Sequence, residues 1–196
     1  MLPSATDAAP PKPSAARDRL LETASRIFYA EGVHAVGVDR VISEAQVTRA
    51  TFYRHFPGKE LLVEAYLRAA DVDIRTRGAA AAEALGTGDP LALVRAFVAG
   101  VGDEICLSGF RGCPFINAAA EYPDPDSAVR VVVDEHRAWF HDTLEALLTA
   151  GGHADPAHGA RVLVQLRDGA MVGGYLGDQE TARATLIAAA EGVIGG

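Results

Sequence analysis

No apolar run in this chain approaches the ~18–20 residues that a membrane-spanning helix needs. The N-terminus lacks the basic-then-apolar pattern of a signal peptide, so a cytoplasmic, reducing setting is expected. There are only two cysteines, Cys106 and Cys113, and in such a setting they are expected as free thiols rather than as a structural bridge. With no CxxC spacing and scattered histidines, they make a poor zinc site. A Gly-rich phosphate loop, a nucleophile elbow and an HExxH pattern are all missing, so neither an enzyme nor a cofactor is expected. Asp134, Glu135 and His136 set carboxylates beside a histidine, but adjacent residues on a helix point in different directions. Strand candidates and internal repeats are also absent.

What is present fits a globular protein. The 196 residues are 49% hydrophobic and 22% charged, enough for one or two compact domains with a sizeable core. The net charge of −8 is unevenly spread. Residues 1–60 hold eight Lys/Arg against seven Asp/Glu, a net of +1, and residues 61–196 hold ten against nineteen, a net of −9. The acidity therefore leaves the first part free to face phosphate through a few placed contacts.

That first part contains DRVISEAQVTRATFYRHFPGK, from Asp39 to Lys59. Val41, Ile42 and Ala45 share one face of a short helix, Gln46-Val47 makes a turn, and Thr48 is a good N-cap for a second helix. Val47 and Phe52 have the spacing of a hydrophobic staple, and Phe52 and Phe56 share a buried face. The opposite face carries Arg49, Ala50, Tyr53 and Arg54, with His55 at its edge. Pro57-Gly58 ends the helix and Lys59 opens the next. An apolar stripe that anchors and a basic, aromatic face that projects are the requirements of a helix-turn-helix reader of the DNA major groove.

The run TRATFYRHFPGKELL resembles the signature of the TetR family of bacterial transcriptional regulators, over about the first third of the chain. Further on, Gly-Cys-Pro-Phe and Asn before an Ala-Ala-Glu run (Gly109–Pro125) are similar to one subgroup of that family. One departure stands out: Gln46 occupies a position where the family usually has Gly, a residue suited to a turn with positive φ.

Apolar spacing organises the rest into helices. Residues 1–14 are Pro-, Ala- and Ser-rich and are expected as a disordered arm. A first helix spans Ala15 to Glu31 and is closed by Gly32. A long helix runs from Lys59 to about Ala82, and Asp89-Pro90 opens another whose face is Leu93, Phe97, Val101 and Ile105. A short helix covers Pro114 to Glu121, followed by long ones at Asp126–Ala150, Asp155–Gly177 and from Asp178 onward. The expected fold is all-α, with about nine helices: a helix-turn-helix domain over residues 15–60 and a helical ligand-binding and dimerisation domain over 61–196.

The expected DNA contacts are Arg40, Thr48, Arg49, Ala50, Thr51, Tyr53, Arg54, His55 and Lys59. Arg49 is placed for base edges, and Tyr53, His55 and Lys59 for phosphate. Aromatic and apolar residues from several helices, with isolated polar groups among them, have the composition of a small-molecule pocket. The candidate residues are Tyr66, Phe97, Val101, Ile105, Phe115, Asn117, Glu121, His136, Trp139, Phe140, Asp168 and Met171; for each polar one a structural role is an equal alternative. The resemblance implies that an inducer sits among these helices and that a homodimer forms as a four-helix bundle from the last two. Gly169, Gly173, Gly174, Ala184 and Ala188 would give that bundle room for close approach. The expected function is a repressor released from a palindromic, double-stranded DNA operator by a small hydrophobic or aromatic effector. Two alternatives stay open: a thiol sensor using Cys106 and Cys113, and a DNA-binding protein without an inducer.

Overall fold

The computed structural model describes residues 14–86 and 88–195, and these form nine α-helices with no strand among them. The expected arm falls almost wholly outside the described residues. The helices are α1 (Ala15–Glu31), α2 (Val38–Glu44), α3 (Arg49–His55), α4 (Lys59–Leu85), α5 (Pro90–Ile105), α6 (Pro114–Glu121), α7 (Ala128–Ala150), α8 (Pro156–Leu176) and α9 (Gln179–Ile194). None is long and apolar enough to cross a membrane.

Local chemistry sets the boundaries. α1 buries Leu20, Ala24, Ile27 and Phe28 on one stripe and stops at Gly32, whose φ is 91°. The Thr48 hydroxyl accepts the Thr51 amide at 3.1 Å and caps α3. Asp89, Asp155 and Asp178 cap α5, α8 and α9 in the same way, the first two ahead of a proline in the first turn. α4 runs three residues past the expected Ala82, because Ala79–Ala82 are strong helix formers, and Gly86 closes it with φ 55°. α7 begins two residues later than expected, since Ser127 rather than an aspartate accepts the Arg130 amide and caps it.

The turn between α2 and α3 resolves the question posed by Gln46. The Val47 amide reaches the Ile42 carbonyl and the Gln46 amide reaches that of Ser43, both at 3.2 Å, the paired bonds of a Schellman cap. That cap needs a left-handed residue, and Gln46 supplies it with φ 53°, the single non-glycine at positive φ among the described residues. A side chain there carries strain that glycine would not.

One apolar core runs from Leu20 and Phe28 through Phe52, Phe56, Leu62, Val63 and Tyr66 into Ile105, Phe115, Val129 and Met171. A second, around Val94, Leu144, Leu148, Leu163 and Ile194, closes the far end of the body. α9 packs between α8 and α5. Gly174 is committed within the chain: a Cβ there would lie 2.3 Å from Ile105 Cγ2, so this glycine serves the α8–α5 contact rather than the subunit contact expected of it. Gly169, Gly173, Ala184 and Ala188 remain exposed on α8 and α9, together with Val172, Tyr175 and Leu176.

Replacing Gln46 tests the turn. Gln46→Gly should leave stability unchanged or raise it by up to about 1 kcal/mol, because relief of left-handed strain offsets the entropy of glycine. Gln46→Val should lower it by about 1–2 kcal/mol. Urea melts of the two variants check both signs.

Candidate nucleic-acid interface and interhelical cavity

α3 is held from beneath by Phe52 and Phe56, both buried, and this fixes which face looks outward. Thr48, Arg49, Ala50, Tyr53 and Arg54 are exposed, while Thr51, His55 and Lys59 are half-buried. Tyr53 stands edge-on to Phe52, with ring centroids 5.1 Å apart. The Thr48 hydroxyl is occupied as the cap and also lies 2.9 Å from the Thr51 hydroxyl. His55 Nε2 is 3.3 Å from Ser14 Oγ. Burial pushes the Lys59 ammonium below its ordinary pKa, against the pull of Glu121.

The arginines differ in how free they are. Arg40 is tied to both oxygens of Glu31 and, at 2.8 Å, to Glu44, and these bonds raise its pKa above the usual value. Arg49 pairs with Asp39, with both side chains largely in water, an arrangement that contributes little and exchanges readily. Arg54 has no ion pair among the described residues. The outer face of α3 thus offers Arg49 and Arg54 as its readily available cations.

A cavity of about 120 Å³ lies in the body, between α4, α5, α7 and α8. Of the residues expected at a pocket, Phe97, Val101, His136, Phe140 and Met171 line it. The others lie elsewhere. Tyr66 is buried edge-on to Phe28, Ile105 packs on Gly174, and Phe115 stacks on His136 with centroids 3.7 Å apart. Trp139 sits under the Arg75 guanidinium, 4.3 Å from its centroid, with the Phe140 ring beyond it. Asp168 bridges Arg137 and Arg167 at 2.7 and 2.9 Å. Asn117 is exposed and donates to the Arg111 carbonyl.

Glu121 lines a separate pocket with Tyr66 and Asn117, where it also has a structural task. Its carboxylate accepts the amides of Val33 and His34, which emerge between α1 and α2, the first at 2.8 Å. Nearby, the Tyr29 hydroxyl donates to the Gly112 carbonyl at 3.1 Å and accepts the Arg111 amide at 3.0 Å. These bonds join α1 and its following loop to the body around α6.

Sequence reasoning did not assign Arg77, Gly78, Leu93 or Glu104 to the cavity wall and named Arg167 only as a group able to hold one ligand carboxylate, yet all five line it. Gly78 had no visible signal; a Cβ there would come within 3.0 Å of the Phe97 ring. Arg167 did have one. It stands four residues after Leu163 and four before Met171, a cation in the middle of an apolar stripe.

His136 Nδ1 is 2.7 Å from Asp71, and since a carboxylate only accepts, the imidazole donates there. Burial lowers its pKa despite the bond to Asp71. The cysteines are apart in chemistry. Cys106 Sγ faces the Gln179 carbonyl, and desolvation with Glu180 raises its thiol pKa; Cys113 is buried and accepts from Arg167 Nη2 at 3.3 Å. His141, Asp142 and Glu145 bring three ligand atoms within 4.8 Å on the surface of α7, where they form ordinary His–carboxylate pairs.

Comparison with known proteins follows the same lines. Residues 20–66 match the profile of the family described as bacterial regulatory proteins, tetR family. The crystal structure of SCO4454, a TetR-family transcriptional regulator from Streptomyces coelicolor, superposes with a TM-score of 0.87 at 50% identity, covering 92% of this chain and 94% of that one. The HTH-type transcriptional regulator LmrA of Bacillus subtilis is 27% identical over 152 residues, which is 76% of this chain and 79% of LmrA. The match to YxaF, also an HTH-type regulator of Bacillus subtilis, is 37% identical over 51 residues and spans 27% of that protein's length.

The depressed pKa of His136 fixes a pH dependence. Between its folded pKa and the ordinary value of 6.5, the unfolded chain binds more protons than the native one, so stability is complete above about 6.5 and falls as pH drops through that window. Wild-type melting temperature should therefore decline from pH 7.5 to 5.5, and His136→Gln should flatten the decline. Thermal melts at the two pH values measure it.

Proposed function

The chain belongs to the TetR family of DNA-binding transcriptional regulators, and from that premise we propose that it is a repressor released from a palindromic operator by a small hydrophobic or aromatic molecule held in the cavity. The observation that carries this reading is the placement of the cavity: α4 forms one wall, with Ile74, Arg77 and Gly78, while the same helix begins at Lys59 beside the DNA-reading helix α3. A ligand that prefers one tilt of α4 changes the position of α3. Coupling of ~1–3 kcal/mol changes DNA affinity roughly 5–150-fold.

In this reading residues 15–60 act as the DNA-binding domain and 61–196 as the ligand-binding and dimerising one, with the protein acting in the cytoplasm as a regulator and not as an enzyme. Arg49 exchanges Asp39 for a base edge, and Tyr53, Arg54, His55 and Lys59 take phosphate. Homodimerisation uses the exposed faces of α8 and α9, where Val172, Tyr175 and Leu176 are unburied beside small residues. Two copies of α3 then meet major grooves about one turn, ~34 Å, or a multiple of it apart. A thiol-sensing reading is favoured by one contact, Arg167 against Cys113. The burial of Cys113 and the raised pKa of Cys106 oppose it, since a reactive thiol is accessible and readily ionised.

The test starts from an operator selected by the protein from random DNA. Arg49→Ala should cost about 1–3 kcal/mol on that site and relax preference at one base position, whereas Lys59→Ala should weaken all sequences alike and flatten the salt dependence. Equal effects of both on specific and random DNA would contradict the division. Release of DNA by aromatic compounds should persist in a Cys106→Ser/Cys113→Ser variant; loss of release there would hand the function to the thiols.

Tyr29→Phe should separate binding from response. It removes both bonds of the hydroxyl to residues 111–112 and leaves the cavity intact, so ligand affinity should hold while the ligand's effect on DNA affinity shrinks. Calorimetry for the ligand and band-shift titrations for DNA measure the two quantities independently.

A further inference from the structure

Arg167 is the one strongly polar group that α8 sets into the cavity wall, and it is buried, with 9% of the residue exposed. Its hydrogen bonds are incomplete. Nη1 donates to Asp168 at 2.9 Å, Nη2 donates to the Cys113 sulfur at 3.3 Å, and the buried Nε–H has no acceptor among the described residues. A buried donor without an acceptor costs free energy, and a thiol is a weak acceptor for a charged donor. The carboxylate that neutralises Arg167 is also shared, because Asp168 takes Arg137 at 2.7 Å through its other oxygen. Burial opposes the charge of Arg167, yet Cys113 and Asp168 together hold its pKa above the ordinary value, so the guanidinium stays ionised.

Nε–H and Nη2 lie along one edge of the guanidinium, the fork that receives a carboxylate through two parallel bonds. One donor of that fork is held by sulfur and the other has no partner. The remaining walls are mainly apolar, with Phe97, Val101, Phe140 and Met171. Of the other polar groups there, Arg77 pairs with Glu104 at 3.7 Å and His136 with Asp71, so Arg167 is the cation left with an open donor. The space of about 120 Å³ is close to the ~150 Å³ cavity known to accept a single benzene ring.

Resting on the reading of this cavity as the ligand site, we infer that its ligand is a monoanionic aromatic acid, whose carboxylate binds the Nε–Nη2 edge of Arg167 and whose ring lies among Phe97, Phe140 and Met171. The incoming carboxylate replaces the Cys113 sulfur. Cys113 adjoins Gly112, the carbonyl that the Tyr29 hydroxyl holds, so the anion's head group acts on the joint to α1 while its ring acts on α4.

The experiment uses benzoate and its neutral isostere benzamide as probes, with the fluorescence of the chain's one tryptophan, Trp139, as readout. Wild type should bind benzoate at least about tenfold more tightly than benzamide. Arg167→Gln should abolish that preference by weakening benzoate and sparing benzamide, and Arg167→Lys should restore part of it. Equal binding of both probes to wild type, or a preference that survives in Arg167→Gln, overturns the anion assignment and leaves the cavity as a site for neutral ligands. Failure of wild type to bind either probe overturns both this inference and the cavity reading beneath it. Should Arg167→Gln not fold, the wild-type ratio decides alone.

Discussion

Two amides between α1 and α2, those of Val33 and His34, have no helix to pair with, and both turn to the carboxylate of Glu121. Hydrogen bonds to a charged acceptor are worth about 1.5–3 kcal/mol each, and leaving such a group unpaired costs a similar amount. With the Tyr29 hydroxyl bridging Arg111 and Gly112, they fix the angle at which the DNA-reading helices meet the body. His34 adds to the joint by stacking on Tyr122 at 5.2 Å. This small polar joint and the continuous apolar core behind it together connect α3 to the body that holds the cavity.

In the proposed function two routes lead from cavity to DNA face. One is mechanical, along α4, whose middle lines the cavity and whose first residue sits at the end of the reading motif. The other is polar, from Arg167 through Cys113 and Gly112 to Tyr29. Packed cores resist continuous deformation, so small shifts at a cavity wall are expressed as changes of contact at such joints. A ring pressing on Phe97 and an anion drawing on Arg167 would load both routes together.

What could be read in the sequence was local. Thr48 as a cap, Val47 before it, and Phe52 and Phe56 beneath the helix all act within ten residues, and each stands where its spacing placed it. The all-helical architecture was legible for the same reason, because stripes such as Leu93, Phe97 and Val101 repeat at helical period. The joint was not legible: Glu121 and Val33 are 88 residues apart, and Tyr29 and Gly112 are 83 apart. Nothing local distinguishes a carboxylate that clamps amides from one that touches a ligand, and Glu121 clamps two amides while lining a pocket separate from the main cavity. Cavity membership was half legible. An apolar stripe marks a buried face, but only tertiary packing decides that Phe97 borders open space and Ile105 fills the notch at Gly174. Arg167 was the exception, a charge within a buried stripe that local propensity does not explain.

The proposed function requires cavity and DNA face to be thermodynamically coupled, and reciprocity is the sharpest check on that coupling. Ligand affinity should be measured by Trp139 fluorescence on the free protein and on the protein saturated with its selected operator. DNA should weaken the ligand by the same factor by which the ligand weakens DNA. Identical ligand affinity in the two states would contradict it.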